Sequence, residues 1–256
     1  MSASSREIAD DGPVPTRAPA APAVILSGLR VPFKRFCLGP VSFTLGSGER
    51  VALLGTNGAG KSTLINALGG RVLDYEGSIV SAGHELRTVL PHARAWVGVL
   101  PERVVAYDYM TVGDYLGLHE RFYPNWDPDR ARDLVTRLQL DVGARMTTLS
   151  KGTRVKVAFV AVESYRPPLL LLDEPTSGLD PLVRETLLEC IRESLDADSS
   201  RTLLFSTHIL EDVVTIAQRV LVLRDGALAL DVAMNELAAG HGSPLQALRE
   251  GIRATS

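Results

Sequence analysis

Residues 55–63 read GTNGAGKST, and the four residues before them, Val51-Ala52-Leu53-Leu54, are all apolar. This juncture restricts the fold more than anything else in the chain. The pattern G-x-x-x-x-G-K-[ST] is met in full at Gly55, Gly60, Lys61 and Ser62, and the run STLINALGG that follows has helical character. A buried strand, a glycine-rich loop and a helix in that order make a phosphate-binding loop. Glycines let the backbone bend until successive N–H groups point at one anion, and the helix turns its positive end toward the same anion. Thr56, Asn57, Gly58, Ala59 and Thr63 complete the cradle. Lys61 adds a compact positive charge at the β- and γ-phosphates, and the Ser62 hydroxyl is an oxygen donor of the kind Mg²⁺ prefers.

Residues 169–180 read LLLLDEPTSGLD. Four successive leucines indicate a buried central strand, which ends in two acids. Asp173 stands where a strand-end carboxylate holds Mg²⁺, directly or through water. Glu174 points elsewhere, because successive strand residues face opposite ways, and it is placed to take a proton from an attacking water.

The rest of the chain supplies an α/β frame. Short strands are expected over AVILSGL and over VSFTL after Gly39-Pro40, with a turn at Gly46-Ser47-Gly48. Between 103 and 150 the apolar spacing becomes helix-like, and six of the fourteen aromatic residues fall between Tyr107 and Trp126. Strands return at 169–172, 202–206 and 220–223, and Asp225-Gly226 opens a terminal hairpin. Strands alternating with helices point to a mainly parallel sheet. The segment after Gly240 is weakly patterned.

Composition removes several alternatives. The net charge of −3, without a long basic run, argues against broad nucleic-acid binding. Cys37 and Cys190 form neither a disulfide framework nor a metal-site spacing, and a reducing compartment is the simpler reading. The first 22 residues, rich in Ala, Pro, Ser and charge, lack an apolar signal core and read as a disordered tail. No stretch approaches 18 apolar residues, so membrane work falls to a partner chain.

The phosphate loop, the acidic strand end and LSKGTR at 149–154 together resemble an ABC-type ATPase domain over residues 23–235. Leu149 to Thr153 matches the family's signature sequence LSGGQ, and Val97 to Glu102 its Q-loop segment. Ser177 to Asp180 matches its D-loop, and His208 in Ser206-Thr207-His208 its switch histidine. The resemblance implies a P-loop NTPase core with a mainly parallel sheet, an N-terminal antiparallel β subdomain and an inserted α-helical subdomain. The implied domain spans 23–240, with the helical insert at about 103–152, a tail before it and a tail at 241–256.

The resemblance further implies that two such subunits pack head to tail around MgATP. Ser150 and the Gly152 N–H would contact the γ-phosphate held by the opposite copy. His208 would contact it too, and Asp180 would lie at the junction. Phe33, or else Phe36, would stack on adenine. The implied chemistry is ATP hydrolysis with Lys61, Glu174 and His208 as catalytic residues and Ser62, Glu102 and Asp173 around the metal. The implied partners are a second ATPase subunit, identical or related, and an integral membrane permease, with no nucleic acid. The place implied is the cytoplasmic face of a bacterial membrane. An ATPase acting on DNA or ribosomes is the alternative within the family. It is disfavoured by the single ATPase half and by the want of a heptad run or cysteine cluster.

The chain departs from the family pattern in informative ways. Glu102 replaces a glutamine, which adds a charge and a second acceptor oxygen, so a stronger dependence on metal and pH is expected. Lys151 replaces a glycine and Thr153 a glutamine. A cation at a helix N-terminus is unfavourable by about 0.3–1 kcal/mol unless an anion lies near. Lys151 is therefore expected to help close the dimer on ATP. The stretch YPNWD at 123–127 with LSKGTR resembles bacterial drug- and peptide-resistance exporter ATPases that have a separate membrane subunit. The rings of Tyr123 and Trp126 would then serve either a groove for that subunit or the insert's own core.

Overall fold

In a computed structural model, residues 23–89, 95–238 and 243–254 are described; the tail expected over 1–22 lies outside them. The first strands are half-buried. β1 (Val24–Pro32) alternates buried and open side chains, as does β2 (Cys37–Leu45), which starts before the cis Gly39–Pro40 bond. Such alternation suits a sheet with one wet face. β1 pairs antiparallel with β2, Leu26 opposite Phe43, and on its other side with β4 (Glu76–Ser81). The short β5 (His84–Glu85) completes a four-stranded sheet ordered β2-β1-β4-β5.

The second sheet reads differently because both its faces are covered. β3 (Arg50–Leu54), β6 (Val97–Leu100), β7 (Leu169–Asp173), β8 (Thr202–Ser206) and β9 (Arg219–Arg224) are nearly continuous apolar runs. They pair in parallel, and β10 (Ala227–Ala233) closes a hairpin on β9, giving the order β10-β9-β3-β8-β7-β6. α1 (Lys61–Leu68) follows β3, and α5 (Pro181–Ala197) and α6 (Leu210–Ile216) follow β7 and β8. Asp173 lies opposite Ser206, and Ser206 opposite Leu53, so the carboxyl ends of β3, β7 and β8 meet at one place. In open α/β sheets that edge is where ligands bind.

The insert contains α2 (Val112–Phe122) and α3 (Pro128–Arg137), which lean on α4 (Lys151–Glu163). α2 starts at a capping box between Thr111 and Asp114, and Asp127 caps α3 ahead of Pro128. Tyr123 lies flat on Tyr165, with ring centroids 3.7 Å apart, and Trp126 packs against the core. Both therefore serve the interior. Phe122, Tyr107 and Tyr109 are the exposed rings of this region, the two tyrosines stacked on each other.

A buried ionic cluster ties the far end of α4 to its neighbours. Glu163, wholly buried, accepts from Arg201 at 2.9 and 3.0 Å, from Arg130 of α3 at 3.1 Å and from Ser194 of α5 at 2.5 Å. At the other side of the molecule Arg219 clasps Asp231 of β10 and Glu49 while donating to the Thr44 carbonyl at 3.0 Å, which fastens the first sheet to the second.

The weakly patterned C-terminal segment contains a helix. α7 (Met234–Ala238) leads toward α8 (Pro244–Ala254), whose Ala247 and Leu248 are buried and which packs on α6 and α7. Leu245, Leu248 and Ile252 recur at helical spacing, a pattern too short to stand out in the sequence.

Candidate ATP-binding and hydrolysis site

The phosphate loop leaves β3 at Gly55, where a β-carbon would meet the Leu223 carbonyl oxygen at 2.5 Å. It enters α1 through Gly60, whose φ of 105° is left-handed and whose β-carbon would press on Leu38 at 2.9 Å and Phe36 at 3.1 Å. Only glycine fits either place. Gly60 offers α1 no side-chain cap and the first turn carries no acid, so the helix's leading N–H groups suit an anion.

Lys61 is 7% exposed. Its ammonium donates to the Gly55 carbonyl at 2.8 Å and the Thr56 carbonyl at 3.4 Å, and lies 3.5 Å from Glu174 Oε1. Glu174 is buried and sits in left-handed backbone, φ 49°. Its N–H donates to Ser206 Oγ at 2.9 Å, and the Ser206 hydroxyl donates to Asp173 Oδ1 at 2.7 Å. The other carboxylate oxygen of Glu174 meets His208 Nδ1 at 2.8 Å. One carboxylate is thus held between a lysine and a histidine, with its main chain pinned by a serine.

These groups open into a cavity of about 640 Å³, inside the range of roughly 300–1,000 Å³ usual for small-molecule sites. Asn57, Gly58, Gly60, Lys61, Ser62 and Thr63 of the loop and α1 line it. Phe33, Phe36, Glu102, Glu174, Ser177 and His208 line it as well. Phe33 is half exposed, while Phe36 leans into the core beside Gly60. Of the remaining loop residues, Thr56 is exposed and Ala59 turns into the core. Asp173 is buried beside Glu174, held by Ser206.

Ser150, Lys151, Gly152 and Asp180 do not line this cavity. They form a second cluster within the same chain. Ser150 caps α4, accepting from the Thr153 N–H at 3.1 Å, and Asp180 caps α5, accepting from Val183 at 3.0 Å. A β-carbon on Gly152 would touch Leu179 at 3.3 Å, and one on Gly178 would lie 3.8 Å from the Lys151 ammonium. LSKG and SGLD therefore rest on each other. Sequence reasoning did not single out Ser177 or Ser206 as site residues. Ser206 stands two positions before His208, and only the β7–β8 register shows that it faces the acids.

The sequence profile of the family described as ABC transporter matches residues 38–177. The chain belongs to this family of ABC transporter ATP-binding subunits. The thiamine import ATP-binding protein ThiQ of Salmonella choleraesuis (strain SC-B67) is 35% identical over 212 residues, which cover 80% of this ABC ATPase and 89% of ThiQ. An uncharacterised ABC transporter ATP-binding protein, YdbJ of Bacillus subtilis (strain 168), is 30% identical over 77% of this chain and 64% of its own. A solved ATP-binding subunit of an ABC transporter superposes with a TM-score of 0.80 at 28% identity, covering 90% of this chain and 99% of that one. A dimeric ATP-binding cassette bound to ADP and Pi, 20% identical with a TM-score of 0.73, shares the fold.

The ABC ATPase's residues suit a magnesium nucleotide. Among the described residues no group of three or more His, Cys, Asp and Glu side chains is arranged as a metal cage. Mg²⁺ is usually held by one or two protein oxygens together with substrate phosphates. Ser62 and Glu102, which line the cavity, and the buried Asp173 beside Glu174 offer that kind of partial donor set.

Proposed function

We propose that this ABC ATPase hydrolyses MgATP between two copies of itself, or between itself and a related subunit, and thereby drives a separate membrane permease. The observation that carries the reading is the Lys61–Glu174–His208 arrangement lining one cavity. Phosphoryl transfer needs positioning and charge stabilisation more than covalent help from the protein. Lys61 would exchange its loop carbonyls for phosphate oxygens, freeing Glu174. Glu174 would then orient the attacking water and accept its proton. His208, more than half exposed, would hold Glu174 on one side and reach the terminal phosphate on the other. Bound Mg²⁺ would supply charge neutralisation at the phosphates, with Ser62, Glu102 and Asp173 as its protein oxygens.

The cavity is open, and the LSKG–SGLD cluster lies outside it. A second subunit apposed head to tail would bring its own Ser150, Lys151 and Gly152 over the phosphates, with Asp180 at the junction. Phe33, half exposed where it lines the cavity, would supply the adenine platform. No helix of the described residues is long and apolar enough to cross a membrane, which fits a peripheral subunit at the cytoplasmic face. Exposed Tyr107, Tyr109 and Phe122 suit the permease contact, since aromatic residues are enriched at interfaces. The domain is taken as 23–240 with its insert at about 103–152.

Export, implied by the YPNWD and LSKGTR resemblance, gains no support from the similar proteins. ThiQ of Salmonella choleraesuis and ThiQ of Escherichia coli (strain K12), at 35% and 33% identity, are both named for thiamine import. Direction would be read by reconstituting this chain with a candidate permease in vesicles and following substrate. Hydrolysis and dimerisation are tested together with Glu174→Gln. The expected result is tight MgATP binding, a nucleotide-dependent dimer and loss of turnover by about a hundredfold or more. Unchanged turnover, or a chain that pairs neither with itself nor with a related subunit when ATP and permease are present, refutes the proposal.

A further inference from the structure

The loop carrying Glu174 and the loop carrying His208 are stapled twice. One staple is Ser206, described above. The other is Asp212, four residues beyond His208 and 1% exposed. Its Oδ2 accepts from Thr176 Oγ1 at 2.5 Å, two residues beyond Glu174. Its Oδ1 accepts from Arg184 of α5, Nε at 2.7 Å and Nη2 at 2.6 Å. Thr176 is buried to the same degree. Arg184 sits one turn into α5, its N–H bonded to the carbonyl of the capping residue Asp180 at 3.0 Å. One buried carboxylate thus joins the start of α6, the segment after β7 and the start of α5.

Asp212 is not among the residues that line the cavity, so any effect on the chemistry would be indirect. The 2.8 Å contact of His208 with Glu174 spans two separate loops. With Ser206 before it and Asp212 after it, that contact is bracketed on both sides. A displacement near 1 Å at a reacting group costs on the order of a hundredfold in rate. We propose that Asp212 is a positioning residue for ATP hydrolysis. It holds the His208 loop in register with Glu174 and, through Arg184, links that register to the D-loop end of α5. This inference rests on the function proposed above.

The test uses the full chain, with its permease if turnover requires it. Wild-type MgATP binding and hydrolysis are measured first; failure there removes the proposed function itself, whatever the variants do. Asp212→Asn keeps the shape but cannot pair as an anion with Arg184. Thr176→Val removes one hydroxyl and decides the matter if the asparagine variant does not fold. The expected result is a fall in kcat of about tenfold to a hundredfold, with the KM for ATP and direct nucleotide binding within about twofold of wild type. In a His208→Ala background the same substitutions should lower kcat little further, because the register they disturb no longer has its histidine. The proposal is overturned by an unchanged kcat in folded Asp212→Asn or Thr176→Val. It is equally overturned by losses that multiply fully with His208→Ala, or by a KM that rises in step with the fall in kcat.

Discussion

Truncating Glu163 to alanine tests whether the buried ionic cluster holds the molecule together. Glu163 and Arg201 are 0% and 3% exposed, so water cannot take the place of the missing carboxylate. Arg201 would keep the Pro167 carbonyl at 3.1 Å and the Ser194 hydroxyl, but no anion. Arg130, one-fifth exposed and already with its Nε unpaired, would lose its charge partner as well. Removing one member of a buried pair costs about 3–5 kcal/mol. For a chain of this size each kcal/mol moves Tm by about 2–4 °C, so the drop should be roughly 6–20 °C at pH 7. Glu163→Gln, which keeps the shape and the Ser194 contact, should fall between. Replacing Glu163 and Arg201 together with leucine and methionine should recover much of the loss, since apolar substitutes spare the desolvation of two charges.

The sign of the pH dependence follows from the same cluster. Burial pushes the Glu163 carboxyl up, but the charge of Arg201, the hydrogen bonds from Arg201 and Ser194 and the charge of Arg130 together outweigh it, so it titrates below its ordinary 4.5. A carboxyl lowered by folding adds stability above its unfolded value, and that contribution fades as pH falls below about 4.5 toward the folded value. The gap in Tm between wild type and Glu163→Gln, followed by circular dichroism, should therefore be constant above that pH and narrow beneath it. A drop of under about 2 °C for Glu163→Ala at pH 7, or a gap that widens on acidification, refutes the reasoning.

Two further outcomes follow from the cavity. Gly60→Ala forces a β-carbon against Leu38 and Phe36 in left-handed backbone, a strain on the order of 1–3 kcal/mol, and should weaken MgATP binding about tenfold or more in a fluorescent-nucleotide titration; affinity within twofold would contradict the steric argument. Glu102→Gln should flatten the dependence of ATPase activity on Mg²⁺ concentration and pH, because the cavity lining loses a charge; an unaltered Mg²⁺ titration would show that Glu102 does not sense the metal.

Much of the site was legible in the sequence because its parts are local. The loop at 55–63, the acids after four leucines and the histidine after β8 each carry their strand or helix context within a dozen residues. Ser206 and Asp212 were not legible, because their roles depend on partners 28 to 36 positions away. Asp212 opens a short helix beside Glu211, where an acid ordinarily reads as a solvated dipole partner. The parallel strands were clear from their unbroken apolar runs. β6 was visible only as the segment leading to Glu102, since four residues give no period to measure. Tyr123 and Trp126 showed the limit of composition: an aromatic cluster is equally at home in a groove and in a core. Tyr165, forty-two residues further on, decides for Tyr123.

The main-chain geometry at Glu174 separates two reasons for failure that saturation mutagenesis would otherwise merge. Side chains branched at Cβ resist a φ of 49°, so valine or threonine there would harm folding before any chemistry is asked of the protein. Glycine and asparagine adopt that conformation readily and would give well-folded molecules that lack the proposed base. Glutamine, matching the native residue in length and branching, isolates the loss of the charge from the bend of the chain.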